Sequence, residues 1–343
     1  MLRLPEFDFQ SPATIEEACK ILADQGAGAM LVAGGTDIYP KMKRRQFLPK
    51  TLIGLSQFTE LKGIQGDAST GVVLGAGVSL SEVSSNSIMT ESYPGLAKAA
   101  GVVSTPILRN MGTIGGNICL DTRCNYYDQT QPWRESIGWC MKAPNEAGWP
   151  VINDEKSENS GIPCRVAPGS PRCWAVSSTD CAPMLIALGA KLKLVGSSGE
   201  RVIPIGEFYN DDGMFYLNKG HDELLTEVIL PQADGIKSTY WKLRRRESFD
   251  FPVLGVAVAV KQAADDTIED AKIVIGGIGS KPFEMAEAQQ LLIGNKPTPE
   301  LIESSAEAVF NPARPLDNTD FHLFHRKRMA PIYVKRALNE ILL

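Results

Sequence analysis

The 343-residue sequence has only three histidines and no cysteine pair in C-x-x-C spacing. With so few histidines, acid–base catalysis has few candidates, and no Ser–His–Asp nucleophile set is identifiable. The missing C-x-x-C pair argues against a zinc ribbon or knuckle. No G-x-G-x-x-G opens a helix, and no G-x-x-x-x-G-K-[ST] is present, which disfavours the Rossmann and P-loop modes of nucleotide binding. There is no surplus of positive charge. Thirty-five Lys and Arg stand against 40 Asp and Glu, so the basic footprint of a nucleic-acid binder is absent. The longest apolar runs, such as residues 253–260, are too short to cross a bilayer. The first residues lack the apolar core of a signal peptide. A soluble, cytoplasmic protein is expected, with no membrane or nucleic-acid partner.

Seven cysteines cannot all pair internally. Cys19 stands alone on the buried face of a helix expected over 14–22, capped by Ser11 or Thr14. The other six, Cys119, Cys124, Cys140, Cys164, Cys173 and Cys181, fall in one short segment. Residues 124–178 carry little periodicity and are rich in Pro, Gly, Ser, Asn and Trp. A stretch this long without regular structure reads as a functional insertion that something other than an apolar core must hold. Clustered thiolates suit zinc or an iron–sulfur cluster, and the alternative of buried free cysteines stays open.

Two glycine turns frame the chemistry. Val32-Ala-Gly-Gly-Thr-Asp37 ends an apolar run of strand type. Gly112-Thr-Ile-Gly-Gly-Asn117 repeats the glycine pair about eighty residues later. Without Cβ atoms such turns approach a ligand closely, and successive N–H groups form a nest for a pyrophosphate. Two unrelated turns remain the alternative. The basic segment 41–45 precedes a strand at 51–55, and Lys242-Leu-Arg-Arg-Arg reads as a solvated strand end. His322 and His325 read as helix-surface residues.

These motifs resemble the FAD-binding subunits of the xanthine dehydrogenase and carbon monoxide dehydrogenase family, with Ser178-Thr-Asp-Cys-Ala-Pro-Met, Lys242-Leu-Arg-Arg-Arg and Gly276-Gly-Ile-Gly-Ser-Lys-Pro following in order. Asp121-Thr-Arg-Cys-Asn-Tyr-Tyr-Asp-Gln, with Trp133-Arg and Cys140, narrows the resemblance to the β subunits of 4-hydroxybenzoyl-CoA reductases. The resemblance implies an α+β fold: a two-subdomain FAD-binding fold of the vanillyl-alcohol-oxidase (PCMH) type, then a C-terminal α+β domain of the CO dehydrogenase flavoprotein type. The implied divisions are 1–57, 58–231 with a cysteine-rich insertion at about 122–178, and 232–343.

The implied FAD residues are Leu31, Val32, Ala33, Gly34, Gly35, Thr36, Asp37, Ile38, Thr113, Gly115, Gly116, Asn117, Asp180 and Lys242. The implied [4Fe–4S] ligands are Cys124, Cys140, Cys164 and Cys173, with extra residues around 146–161 that the relatives lack. Cys119 and Cys181 are read as neighbours of the FAD site. The implied partners are a molybdopterin subunit, a [2Fe–2S] subunit and a ferredoxin-like donor. Electrons would then run inward to dehydroxylate an aryl-CoA. A hydroxylase subunit running electrons outward, or a zinc-stabilised scaffold, are the alternatives.

Overall fold

The computed structural model describes residues 2–146, 161–233 and 235–343. Three sheets follow one another along the chain. The first is parallel, in the order β1–β3–β2, from β1 (Asp8–Gln10), β2 (Ala29–Val32) and β3 (Thr51–Gly54). Parallel neighbours need a crossover; the helix Ile38–Lys43 lies on the one from β2 to β3, and the helix Ile15–Gln25 joins β1 to β2 across the sheet. Thr14 caps that helix by accepting from the Glu17 N–H at 3.2 Å, and Ala18, Cys19 and Leu22 form its buried face.

The second sheet is antiparallel. It contains β4 (Ile64–Asp67), β5 (Gly71–Gly75), β6 (Lys191–Gly196), β7 (Gly199–Pro204) and β8 (Leu224–Leu230), in the order β4–β5–β8–β6–β7. Period-2 alternation decides its faces. In Lys191-Leu-Lys-Leu, Leu192 and Leu194 are buried while Lys191 reaches solvent. Two short helices follow β5, Leu80–Ser85 and Ser87–Ser92. Asn86 breaks the run with extended backbone and caps the second piece by accepting from the Met89 N–H at 3.3 Å.

The third sheet, also antiparallel, contains β9 (Ile236–Leu243), β10 (Leu254–Gln262), β11 (Ile268–Gly276) and β12 (Phe283–Glu284), in the order β12–β11–β10–β9. Its central strand explains the apolar run at 253–260. Val256, Val258 and Val260 pack against the helices Ala286–Leu292, Pro299–Ala308 and Leu323–Leu342. Ala257 and Ala259, on the other face, join the core of the second sheet through the helices Pro94–Gly101 and Cys181–Ala187. A strand covered on both faces has no polar side to show. No helix among the described residues is long and apolar enough to cross a membrane.

The cysteine-rich segment is held differently. Its described parts contain one short helix, Gln131–Ser136, and the isolated bridges Arg123↔Val176 and Cys140↔Ala143. Residues 147–160, the heart of the extra stretch noted in the sequence, lie outside the described residues.

The terminal helix is fastened by one buried cation. Arg326 is fully buried, and its guanidinium donates to the carbonyls of Val253 (2.9 Å), Leu316 (2.8 Å) and Gly277. Burial lowers its pKa to about 10. Arg326→Met strands three carbonyls in the core and is expected to destabilise the chain by about 3 kcal/mol in urea denaturation. A loss under about 1 kcal/mol would show that the carbonyls find other donors.

Candidate functional site

The two glycine turns meet. An ideal Cβ on Gly34 would stand 1.8 Å from the Met111 carbonyl oxygen, so the backbone of the first turn lies directly on the segment entering the second. Gly35 has φ +70°, a left-handed conformation that glycine adopts without strain. Gly115 is pressed against Ala76, which its Cβ would meet at 2.8 Å. Thr113 caps the short helix Ile114–Ile118 by accepting from the Gly116 N–H at 3.0 Å.

Above this junction opens a cavity of about 530 Å³, within the usual size range of small-molecule and cofactor sites. Residues 31–38, 112, 113 and 115–117 all line it, so twelve of the fourteen expected FAD residues border one cavity. The backbone N–H groups of Gly34, Gly35 and Thr36 donate to no other described residue. Free amides on a glycine turn of this kind fit a phosphorylated cofactor. Asp37 is already engaged, paired with the Arg123 guanidinium.

Asp180 and Lys242 are not among the lining residues. They pair with each other at 3.0 Å, both buried, while Tyr240 Oη donates to Asp180 at 3.0 Å and Lys242 Nζ to the Val102 carbonyl at 3.1 Å. Burial outweighs these partners and raises the Asp180 pKa. The pair ties β9 to the start of the helix Cys181–Ala187. Asn117 reaches the same point: its Oδ1 accepts from Thr179 Oγ1 (2.6 Å) and the Cys181 N–H (3.1 Å). Cys119 lines the cavity, whereas Cys181 is fully buried in the core behind it.

Cys124, Cys140, Cys164 and Cys173 come together. Brought from a stretch of 50 residues, they share one buried cluster with Tyr127, Met141, Ala143 and Ala175. Burial pushes the Cys124 thiol up to about 12 and raises Cys140 and Cys173 as well. Backbone N–H groups act in the opposite sense. Those of Tyr126 and Tyr127 bear on Cys124, those of Ala143 and Lys142 on Cys140, and that of Ala175 reaches Cys173 Sγ at 3.4 Å. Among the described residues no group of three or more His, Cys, Asp or Glu side chains is placed to hold a metal ion.

Between the cysteines and the cavity lies a network that sequence reasoning missed. Asp121, on the cavity wall, accepts from Lys41 Nζ at 2.7 Å and from Lys142 Nζ at 2.5 Å, and all three are buried. Burial pushes the Asp121 carboxyl up, but Lys142 and Lys41 more than offset it and hold its pKa below the ordinary value. Lys142 Nζ also donates to Thr122 Oγ1 (2.5 Å) and the Gly213 carbonyl (2.7 Å). Both ammonium groups lie on the Tyr127 ring, 4.7 and 4.8 Å from its centroid. The basic segment 41–45 is therefore not all solvated: Lys41 is 1 % exposed. No short-range pattern marks it, because its partner lies 80 residues away.

Residues 5–233 match the FAD binding domain in molybdopterin dehydrogenase, and residues 238–341 match the CO dehydrogenase flavoprotein C-terminal domain. The chain belongs to the FAD-binding subunits of the molybdenum hydroxylase family. It is 27% identical to the carbon monoxide dehydrogenase medium chain of Hydrogenophaga pseudoflava, over 98% of this chain and 96% of that one. It is 27% identical to the aldehyde oxidoreductase FAD-binding subunit of Escherichia coli, over 94% and 95%. The solved carbon monoxide dehydrogenase of H. pseudoflava superposes with a TM-score of 0.77 at 25% identity, covering 98% of this chain and 97% of that one. The fold is thus a PCMH-type FAD-binding domain followed by a CO dehydrogenase flavoprotein C-terminal domain. This FAD-dependent oxidoreductase subunit has the flavin domain of a molybdenum hydroxylase-type complex.

Gly34→Ala forces the Met111 backbone away from the turn. Flavin per purified chain is expected to fall at least about tenfold on dilution and desalting, a cost of about 1.4 kcal/mol or more. Gly206→Ala, where an added Cβ meets nothing within 4 Å, is the control. Equal flavin in both variants would show that the contact does not shape the site.

Proposed function

We propose that this chain is the flavin and iron–sulfur electron-transfer subunit of a complex of the 4-hydroxybenzoyl-CoA reductase type. The observation that carries the reading is the convergence of Cys124, Cys140, Cys164 and Cys173 in one buried cluster beside the cavity. A hydroxylase flavin subunit has no use for such a layer. A [4Fe–4S] cluster suits four thiolates. Such a cluster spaces its ligands around a polynuclear core rather than one ion, so the lack of a single-ion site does not count against it. Backbone N–H groups aimed at Cys124, Cys140 and Cys173 are the donors that favour anionic sulfur.

FAD in the cavity would supply a meeting point for one- and two-electron chemistry. The protein's part is placement. Residues 34–36 offer amides to the pyrophosphate, while Thr113, Gly115, Gly116 and Asn117 close the opposite side. In this reading residues 1–57 and 58–231 clasp the flavin and 232–343 braces it. A ferredoxin-like donor delivers electrons, a [2Fe–2S] subunit carries them on, and a molybdopterin subunit removes a phenolic hydroxyl from an aryl-CoA. Substrate chemistry takes place in that partner, so no catalytic residue is assigned here.

A second reading has support from the relatives, whose names are those of carbon monoxide, aldehyde and nicotinate dehydrogenases. In it the chain passes electrons outward and the cysteines are packing.

Iron, acid-labile sulfide and flavin analysis of the anaerobically purified complex separates the two. The first reading expects about four iron atoms beyond those of the [2Fe–2S] partner, and Cys140→Ser should lose them while keeping FAD. Iron that matches the partner alone, in wild type and variant, favours the hydroxylase. A colourless zinc protein would sink both.

A further inference from the structure

Among the described residues, the cysteine layer sits among more buried positive charge than their carboxylates neutralise. Lys142 and Arg134 are fully buried, and Lys41 nearly so. Against these three cations stands one buried carboxylate, Asp121, shared by the two lysines. Among the described residues Arg134 has no acidic partner within salt-bridge distance. Its guanidinium donates to the carbonyls of Gln129 (2.5 Å), Arg45 (2.8 Å) and Arg44 (3.1 Å), and its Nε is buried without a partner. The surrounding charges do not correct the balance. Arg123 and Arg44 are matched by Asp37 and Asp128, and Arg172 by Asp211. Arg165, only partly buried, donates to the carbonyls of Trp139 and Gly138. Among the described residues, two buried positive charges are left over.

Burying a charge without its counterpart is unfavourable, so a surplus this deep calls for an anion. The geometry says where. Lys142 Nζ donates to the Gly213 carbonyl, the Gly213 N–H donates to the Cys173 carbonyl at 2.9 Å, and a Cβ on Gly213 would lie 2.8 Å from Cys173 Sγ. Lys142 is two residues from Cys140, and Arg134 exerts its field on the same thiol. An oxidised [4Fe–4S] core with four thiolates carries a net charge of about −2, the complement of the surplus.

We propose that Lys142 and Arg134 are built-in counter-charges that set the reduction potential of a cluster held by Cys124, Cys140, Cys164 and Cys173. This rests on the cluster reading above. One-electron reduction adds one negative charge to the cluster. Two fixed, desolvated cations beside it favour that state and raise the potential. Both are positioning residues, acting through the field they impose and touching no substrate.

The test is a redox titration of the intact complex under anaerobic conditions, with dithionite as the electron donor and the reduced cluster followed by its paramagnetic resonance. Lys142→Gln and Arg134→Gln remove one charge each, and Lys142→Arg keeps it. Each neutral variant that retains its iron is expected to shift the reduction equilibrium at least about tenfold toward the oxidised form, equal to about 59 mV for one electron. Lys142→Arg should stay near wild type. If neither Gln variant holds iron, retention by Lys142→Arg supports a charge requirement, and equal loss in Lys142→Arg overturns it. Iron-loaded Gln variants with the wild-type potential overturn it too. Wild-type complex lacking iron beyond its partner's would instead defeat the cluster reading itself.

Discussion

One carboxylate joins the three parts of the working region. Asp121 faces the cavity, takes Lys41 from the segment after the first sheet, and takes Lys142 from the cysteine-rich segment. In a buried setting these contacts are stronger than surface ion pairs. They also tolerate little change, because removing the carboxylate would leave two buried ammonium groups without the anion both are bonded to. Position in this region is fixed by charge and backbone carbonyls more than by apolar packing. The short helix Gln131–Ser136 illustrates it: Arg134 pins it by binding the carbonyls at both its own loop and residues 44–45.

The apolar parts of the molecule have a different logic. The third sheet is covered on both faces, by its own helices on one side and by the helices Pro94–Gly101 and Cys181–Ala187 on the other. The buried Asp180–Lys242 pair lies on that second interface. The wall of the cavity is therefore backed by a continuous core reaching into the C-terminal domain, and the glycine turns stand on a stiff base.

Much of this was legible in the sequence where local pattern decides structure. The glycine pair after the apolar run at 29–33 located the first turn, whereas Gly115 and Gly116 lie inside the short helix Ile114–Ile118. Alternation around Gly196-Ser-Ser-Gly gave the hairpin of β6 and β7. The cysteines converge as their crowding within one segment implied. What escaped depended on contacts distant in the chain. Lys41 sits in a basic run and reads as surface, yet its carboxylate comes from 80 residues further on. Asp180 and Lys242 carry the family's motifs, but 62 residues apart they find each other instead of the cavity. An apolar strand such as β10 announces burial without saying which element covers which face. Asn86 looked like an ordinary helical position until its backbone was seen to turn outward.

The depth of the four sulfurs bears on their reactivity. Cys124, Cys140, Cys164 and Cys173 are each no more than 8 % exposed and share their cluster with the Tyr127 ring. Thiols this deep are inert toward oxidants and exchange partners in bulk solution while the surrounding chain stays folded.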